Sequence, residues 1–183
     1  TWWGSIFNDN FVFNSNSLVY GDFLIAGNLE PVTETSFYGS VKGENLSYKS
    51  VPIASGSLIF RGRNNYSEIN QLRAISPFGF INGNIQFTQF HDGIQSLASI
   101  RYDIDAKLPI KYARKLVSKN IESNFAAFNS EQPATISFNG AQFRESFYPQ
   151  FQDKGYIHLA IDSNGPVSYW GNPLDYLRFN LTS

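Results

Sequence analysis

The chain contains no cysteine and no methionine, only two histidines, and 16% charged residues, where a globular domain ordinarily carries roughly a quarter. The lack of cysteine excludes thiol nucleophiles, disulfides, thiolate zinc sites and iron–sulfur ligation. It leaves the compartment open, because a domain of 183 residues buries enough apolar surface to fold without staples. The lack of methionine in a chain that begins Thr1-Trp2-Trp3 leads us to expect an upstream segment removed by export, excision or processing. An extracellular, periplasmic or particle-surface location is the expectation that follows. Three glycosylation acceptor sequences, Asn45-Leu46-Ser47, Asn65-Tyr66-Ser67 and Asn180-Leu181-Thr182, suit a secretory route. Continuous apolar runs near twenty residues are also missing, so no transmembrane segment is expected. Charge of either sign is scarce and balanced, 14 Lys and Arg against 15 Asp and Glu, so no nucleic-acid partner is expected.

Aromatic residues, by contrast, are abundant, with 17 Phe, 10 Tyr and 3 Trp, and apolar residues make up 42% of the chain. That is enough for one core, and no Pro/Ser linker or internal repeat divides residues 1–183, so a single domain is expected. Most of the chain reads as strands, because aromatic and β-branched residues alternate with polar ones between Gly, Asn, Asp and Pro. The clearest unit is a hairpin. Ile81, Gly83, Ile85 and Phe87 share one face, His91-Asp92-Gly93 supplies the turn, and Ala98, Ile100, Tyr102 and Ile104 resume the same face. Asn10–Phe13, Leu18–Ala26, Ser36–Val41, Ser57–Arg61, Ala134–Phe138, Gln142–Phe147, Tyr156–Ile161 and Leu177–Leu181 read as further strands, whereas 64–75 reads as a loop with a short turn.

One segment has a different period. From Pro109 to Phe128, Ala113, Val117, Ile121, Phe125 and Phe128 recur at helical spacing, predicting a long amphipathic helix over about 109–128. The expected fold is therefore mainly β (α+β), a curved antiparallel sheet or sandwich of about ten strands with this helix packed on its apolar face.

Residues suited to chemistry are few. His91 sits in the hairpin turn, where His-Asp-Gly has a conformational reason. His158 and Tyr156 share the outward face of a strand, but Asp162 lies about 13 Å from His158 along an extended chain, too far to form a dyad. Asp103 and Asp105 alternate with Arg101 and Lys107 along one face, which reads as a salt-bridged exterior. Asn8-Asp9-Asn10 and Asp162-Ser163-Asn164-Gly165 lack the calcium-loop pattern. No catalytic residue, metal site or cofactor is therefore expected, and an enzyme is the less favoured reading. Binding groups are more conspicuous. Consecutive aromatics cannot all face inward from a strand, so Trp2-Trp3 and Tyr169-Trp170 are expected to leave rings outside. Tyr169, Trp170, Asn172 and Asp175 form the best candidate site, with Tyr156 and His158 as a second pair: rings cover the C–H face of a sugar while amides and carboxylates take its hydroxyls.

The expectation is a non-catalytic recognition domain that binds glycan or another protein through exposed aromatic and amide side chains. The alternative is a carrier of a lipid or other apolar small molecule, held in a cavity between curved sheet and helix.

Overall fold

The computed structural model describes residues 11–28, 35–91, 95–116, 126–144 and 155–182. Trp2, Trp3 and the Asp92-Gly93 turn lie outside these residues. Six long strands come first: β1 (Phe11–Ala26), β2 (Ser36–Tyr48), β3 (Val51–Arg63), β4 (Tyr66–Ser76), β5 (Gly79–His91) and β6 (Gln95–Pro109). A helix α1 (Ile110–Leu116) follows. The rest are β7 (Phe128–Ser130), β8 (Pro133–Phe143), β9 (Tyr156–Ser163), β10 (Val167–Tyr169), β11 (Asn172–Leu174) and β12 (Leu177–Thr182). Nine strands form one sheet in the order β1-β2-β3-β4-β5-β6-β8-β9-β12, and β11-β10-β7 form a small second sheet. Neighbours are antiparallel throughout. The protein is mainly β and sandwich-like, as the alternation predicts.

Local chemistry explains this meander. Between β2 and β3 the chain turns through Lys49 and Ser50, both at positive φ (47° and 63°), the hand that matches the twist of the flanking strands. Register then sorts side chains by face. Ile81, Ala106, Ile136, Ile161 and Phe179 are successive cross-strand neighbours from β5 to β12. One residue along, Asn82, Asp105, Ser137, Ala160 and Asn180 form the parallel row on the opposite face. Side chains alternate across a strand, so one face is apolar and the other polar. Near β2 and β3, glycines make room for rings on the apolar face: a Cβ on Gly39 would meet the Phe60 ring at 2.6 Å, and one on Gly62 the Phe37 ring at 2.2 Å.

The core lies where the second layer covers the apolar face. Leu108, Ile110, Ala134, Ile136, Leu159, Ile161 and Val167 are buried together, with Ala113 and Leu116 of α1, Phe128 of β7 and Phe179 packed against them. Fully burying a side chain of this size stabilises by about 1.5–3 kcal/mol. Pro109 offers no side-chain cap to α1, and a distant residue substitutes for one: the Ile110 N–H donates to Ser130 Oγ at 2.8 Å, and Ser130 Oγ donates to the Gln132 carbonyl at 3.0 Å. Tyr112 stacks on Phe78 with ring centroids 4.1 Å apart, fixing the helix over the β4–β5 turn. The edge strand β1 differs: Val12, Phe13, Leu18, Val19, Tyr20, Phe23, Leu24 and Ile25 are all exposed.

Three expectations need correction. The helix expected over 109–128 begins as expected but does not reach Phe128, which pairs as strand with Tyr169 and packs on Phe179; residues 117–125 lie outside the described residues. A ring every fourth residue satisfies a helix only if a surface faces each turn, and Phe128 finds its surface as a strand. The segment 64–75, expected as a loop, is mostly β4. Its register against β5 shifts between Ile69 and Leu72, with Gln71 at φ 51°. This bulge inserts one residue and breaks the period of two that would have disclosed the strand. Gln142 belongs to the continuous β8 rather than starting a strand of its own.

Candidate functional site

The small sheet presents its outermost feature at the β10–β11 turn. Tyr169 pairs with Asn172, and the two residues between them, Trp170 and Gly171, have φ of 50° and 80°. This is the two-residue hairpin geometry that ordinarily takes Asn-Gly, because positive φ brings the Cβ of a bulky residue against its own backbone. Gly171 is at ease there and Trp170 is not. The turn is held from below by the Trp170 N–H, which donates to the Ala127 carbonyl at 2.9 Å, and by Tyr169, whose ring lies 4.9 Å from that of Phe128. Trp170 itself is 74% exposed. Its ring meets Tyr169 edge-on at 6.4 Å and 73°. Asn172 and Asp175 are exposed beside it in sequence.

Tyr176, in the short link between β11 and β12, is 71% exposed, and the sequence reading passed over it. Its signal was available: it follows Asn-Pro-Leu-Asp, where the chain turns, and so has no strand neighbour to pack on.

The second candidate pair lies elsewhere. Tyr156 and His158 alternate along β9 with Ile157, Leu159 and Ile161, and Leu159 and Ile161 enter the core, so His158 lies on the polar face. Its cross-strand neighbours there are Asn139 and Thr182, and its Nδ1 lies 3.4 Å from Asn139 Nδ2. The small sheet packs on the apolar face through Val167, so Tyr156 and His158 do not join Tyr169, Trp170, Asn172 and Asp175 in one site. Asp103 and Asp105 are on the polar face with Arg101 and Lys107 as expected, but the described residues hold no ion pair between these acids and either cation. Their cross-strand neighbours are Asn84, Asn139, Asn82 and Ser137, and the register supplies no opposite charge.

The polar face does hold one buried carboxylate. Glu68 is 3% exposed and accepts hydrogen bonds from Arg61 Nε, the Tyr66 hydroxyl and Asn70 Nδ2. Burial alone would raise its pKa, but these donors and the Arg61 charge outweigh burial and hold it below its ordinary value. Tyr66, through burial and its bond to the Glu68 carboxylate, is pushed up to about 12. A carboxylate engaged by three donors clamps β3 to β4 beside the bulge rather than moving protons. A folded-state pKa below the unfolded one means that the stabilisation is complete above the ordinary value of 4.5 and is lost as pH falls through the lower folded value. Glu68→Gln should therefore flatten the acid limb of a stability-against-pH curve measured by urea unfolding. An acid limb as steep as that of the parent protein would exclude Glu68 as a contributor.

Two depressions lie on the polar face. One, of about 250 Å³, is bordered by Thr135, Ser137, Asp162, Arg178 and Asn180, and Arg178 and Asp162 form an ion pair across it at 3.0 Å. The other, of about 320 Å³, lies over β1 to β4 between Tyr20, Lys42 and Arg73. Among the described residues no three His, Cys, Asp or Glu side chains are grouped to hold a metal ion, and no helix is long and apolar enough to cross a membrane. No family model, curated protein or solved structure matches the chain.

Proposed function

We propose that the protein is a non-catalytic recognition domain, extracellular, periplasmic or on a particle surface, which binds glycan through the Trp170 turn. One observation carries the reading: a tryptophan occupies a left-handed turn position and turns its ring to solvent. Backbone strain of this kind costs about 1–3 kcal/mol, and in return the ring gains only an edge contact with Tyr169 while it stays 74% exposed. A ring that stabilised the fold would be covered by it. An exposed flat ring flanked by Tyr169, Asn172 and Asp175 has the groups that sugar recognition uses, a face for C–H bonds and polar side chains for hydroxyls.

Trp170→Asn separates the two roles. Asn-Gly is the preferred pair for this turn, so the variant should melt higher, by about 1 kcal/mol of relieved strain, while losing binding on a glycan array. If instead the variant melted lower and bound the same glycans, Trp170 would be a structural plug and the reading would fail.

The carrier reading draws on a different observation. Val41, Leu58, Ile69, Leu72 and Ile85 are only half-buried on the apolar face of the large sheet, the face that bears the helix, and so leave apolar surface there for a ligand held between curved sheet and helix. Organic extraction of the purified protein followed by mass spectrometry distinguishes the readings: stoichiometric lipid supports the carrier.

A further inference from the structure

From the depression over β1 to β4 we infer a second binding site, for the carboxylate-bearing ring of an acidic sugar. It does not rest on the Trp170 turn, which belongs to the other sheet.

The register builds it. Tyr20, Lys42, Ser57 and Arg73 are successive cross-strand neighbours on β1, β2, β3 and β4. Two residues along the same face, Leu18, Glu44, Ser55 and Ile75 form the next row. Strands are about 4.8 Å apart, so Lys42 and Arg73 stand about 10 Å from each other across β3. Between them β3 offers only Ser55, Gly56 and Ser57. A floor of two hydroxyls and bare backbone between two long cations leaves the hollow of about 320 Å³.

The charges around it are uncommitted. Arg61, Lys111 and Arg178 have carboxylate partners, whereas among the described residues Lys42 and Arg73 have none, and Glu44 has no cation within ion-pair distance. Two cations that line one hollow with no ion-pair partner among the described residues define a place for one anionic group, and the planar guanidinium of Arg73 suits a carboxylate. The remaining wall selects what carries it. Tyr20 and Ile75 are exposed apolar surfaces at the rim, fit to cover the C–H face of a ring. Glu44 accepts hydroxyls and repels a second negative charge, which disfavours phosphate chains and nucleic acid. The combination matches a uronic or sialic acid residue.

The test is calorimetric titration of the full chain with glucuronic acid and with N-acetylneuraminic acid, using glucose and inorganic phosphate as controls. Lys42 and Arg73 are exposed, so Lys42→Gln and Arg73→Gln should fold with unchanged melting temperature. We expect one of the acidic sugars to bind, each charge substitution to weaken it about tenfold, and Tyr20→Ala to weaken it severalfold. Trp170→Asn should leave this binding unchanged, so that failure here and failure of the Trp170 reading remain distinguishable. Absence of binding by both acidic sugars would overturn the proposal, as would binding indifferent to Arg73→Gln. Phosphate binding as tightly as the sugars, with Tyr20→Ala without effect, would reduce the site to a simple anion trap and overturn the sugar assignment.

Discussion

Leu108→Ala should lower the unfolding free energy by about 3 kcal/mol, within the usual range of about 2–5 kcal/mol for truncating a buried leucine. Leu108 is 0% exposed at the end of β6, opposite Ala134 on β8 and in one cluster with Ile110, Ile161 and Val167. Its position makes the loss large. The residue lies where the long sheet, the start of α1 and the small sheet meet, and Ala134 across the strand pair is too small to move into the space vacated. Truncation removes transfer energy and leaves a cavity that three separate elements would have to close together. Urea unfolding with an unchanged slope would measure it. A loss below about 1 kcal/mol would mean that the layers are not packed around this side chain.

Gly79→Ala should be comparably damaging, by about 3 kcal/mol or more, for a backbone reason. Gly79 opens β5 with φ 147°, and a Cβ placed on it would stand 1.7 Å from the Lys107 carbonyl oxygen. That atom belongs to β6, in the strand pair where Phe80 faces Lys107, and it cannot retreat without unpairing the open end of the β5–β6 hairpin. Gly171 provides the contrast. It also has positive φ, 80°, but nothing lies within 4 Å of its Cβ position, so Gly171→Ala should cost only the left-handed strain of about 1–2 kcal/mol. Equal melting temperatures for the two variants would show that the approach of β5 to β6 at Gly79 is not as close as described.

Much of this fold is legible in the sequence because period two is a strong signal wherever it runs unbroken. The β5–β6 pair shows it best: Ile81, Gly83, Ile85 and Phe87 oppose Ala106, Ile104, Tyr102 and Ile100, and the faces are those the alternation assigns. The signal fails where a single inserted residue shifts the phase. Gln71 splits β4 into two short runs whose apolar positions fall out of step, and the strand vanishes into what reads as a loop. Helical spacing misleads in the opposite way. Phe128 continues the i, i+3, i+4 stripe but is claimed by β10, because spacing records which residues could share a face and not which surface will meet them. The candidate site follows the same rule. Consecutive aromatics correctly placed Trp170 outside, whereas which layer carries Tyr169 and which carries His158 depends on the β9–β10 crossover between sheets, information that is tertiary and absent from any local pattern. Salt bridging between Asp103, Asp105 and their neighbours failed similarly, since register and not spacing decides that asparagine and serine stand opposite.

The central claim is that α1 and the small sheet cover the apolar face of the large sheet over β6, β8 and β9 while the opposite face of those strands stays wet. The absence of native cysteine lets one measurement test it: rates of maleimide labelling for single cysteines placed in turn at residues 134 to 137 along β8. Thr135→Cys and Ser137→Cys should label rapidly, and Ala134→Cys and Ile136→Cys only as fast as the protein unfolds. Uniform rates along the strand, or fast labelling at 134 and 136 with protection at 135 and 137, would contradict the two-faced sheet.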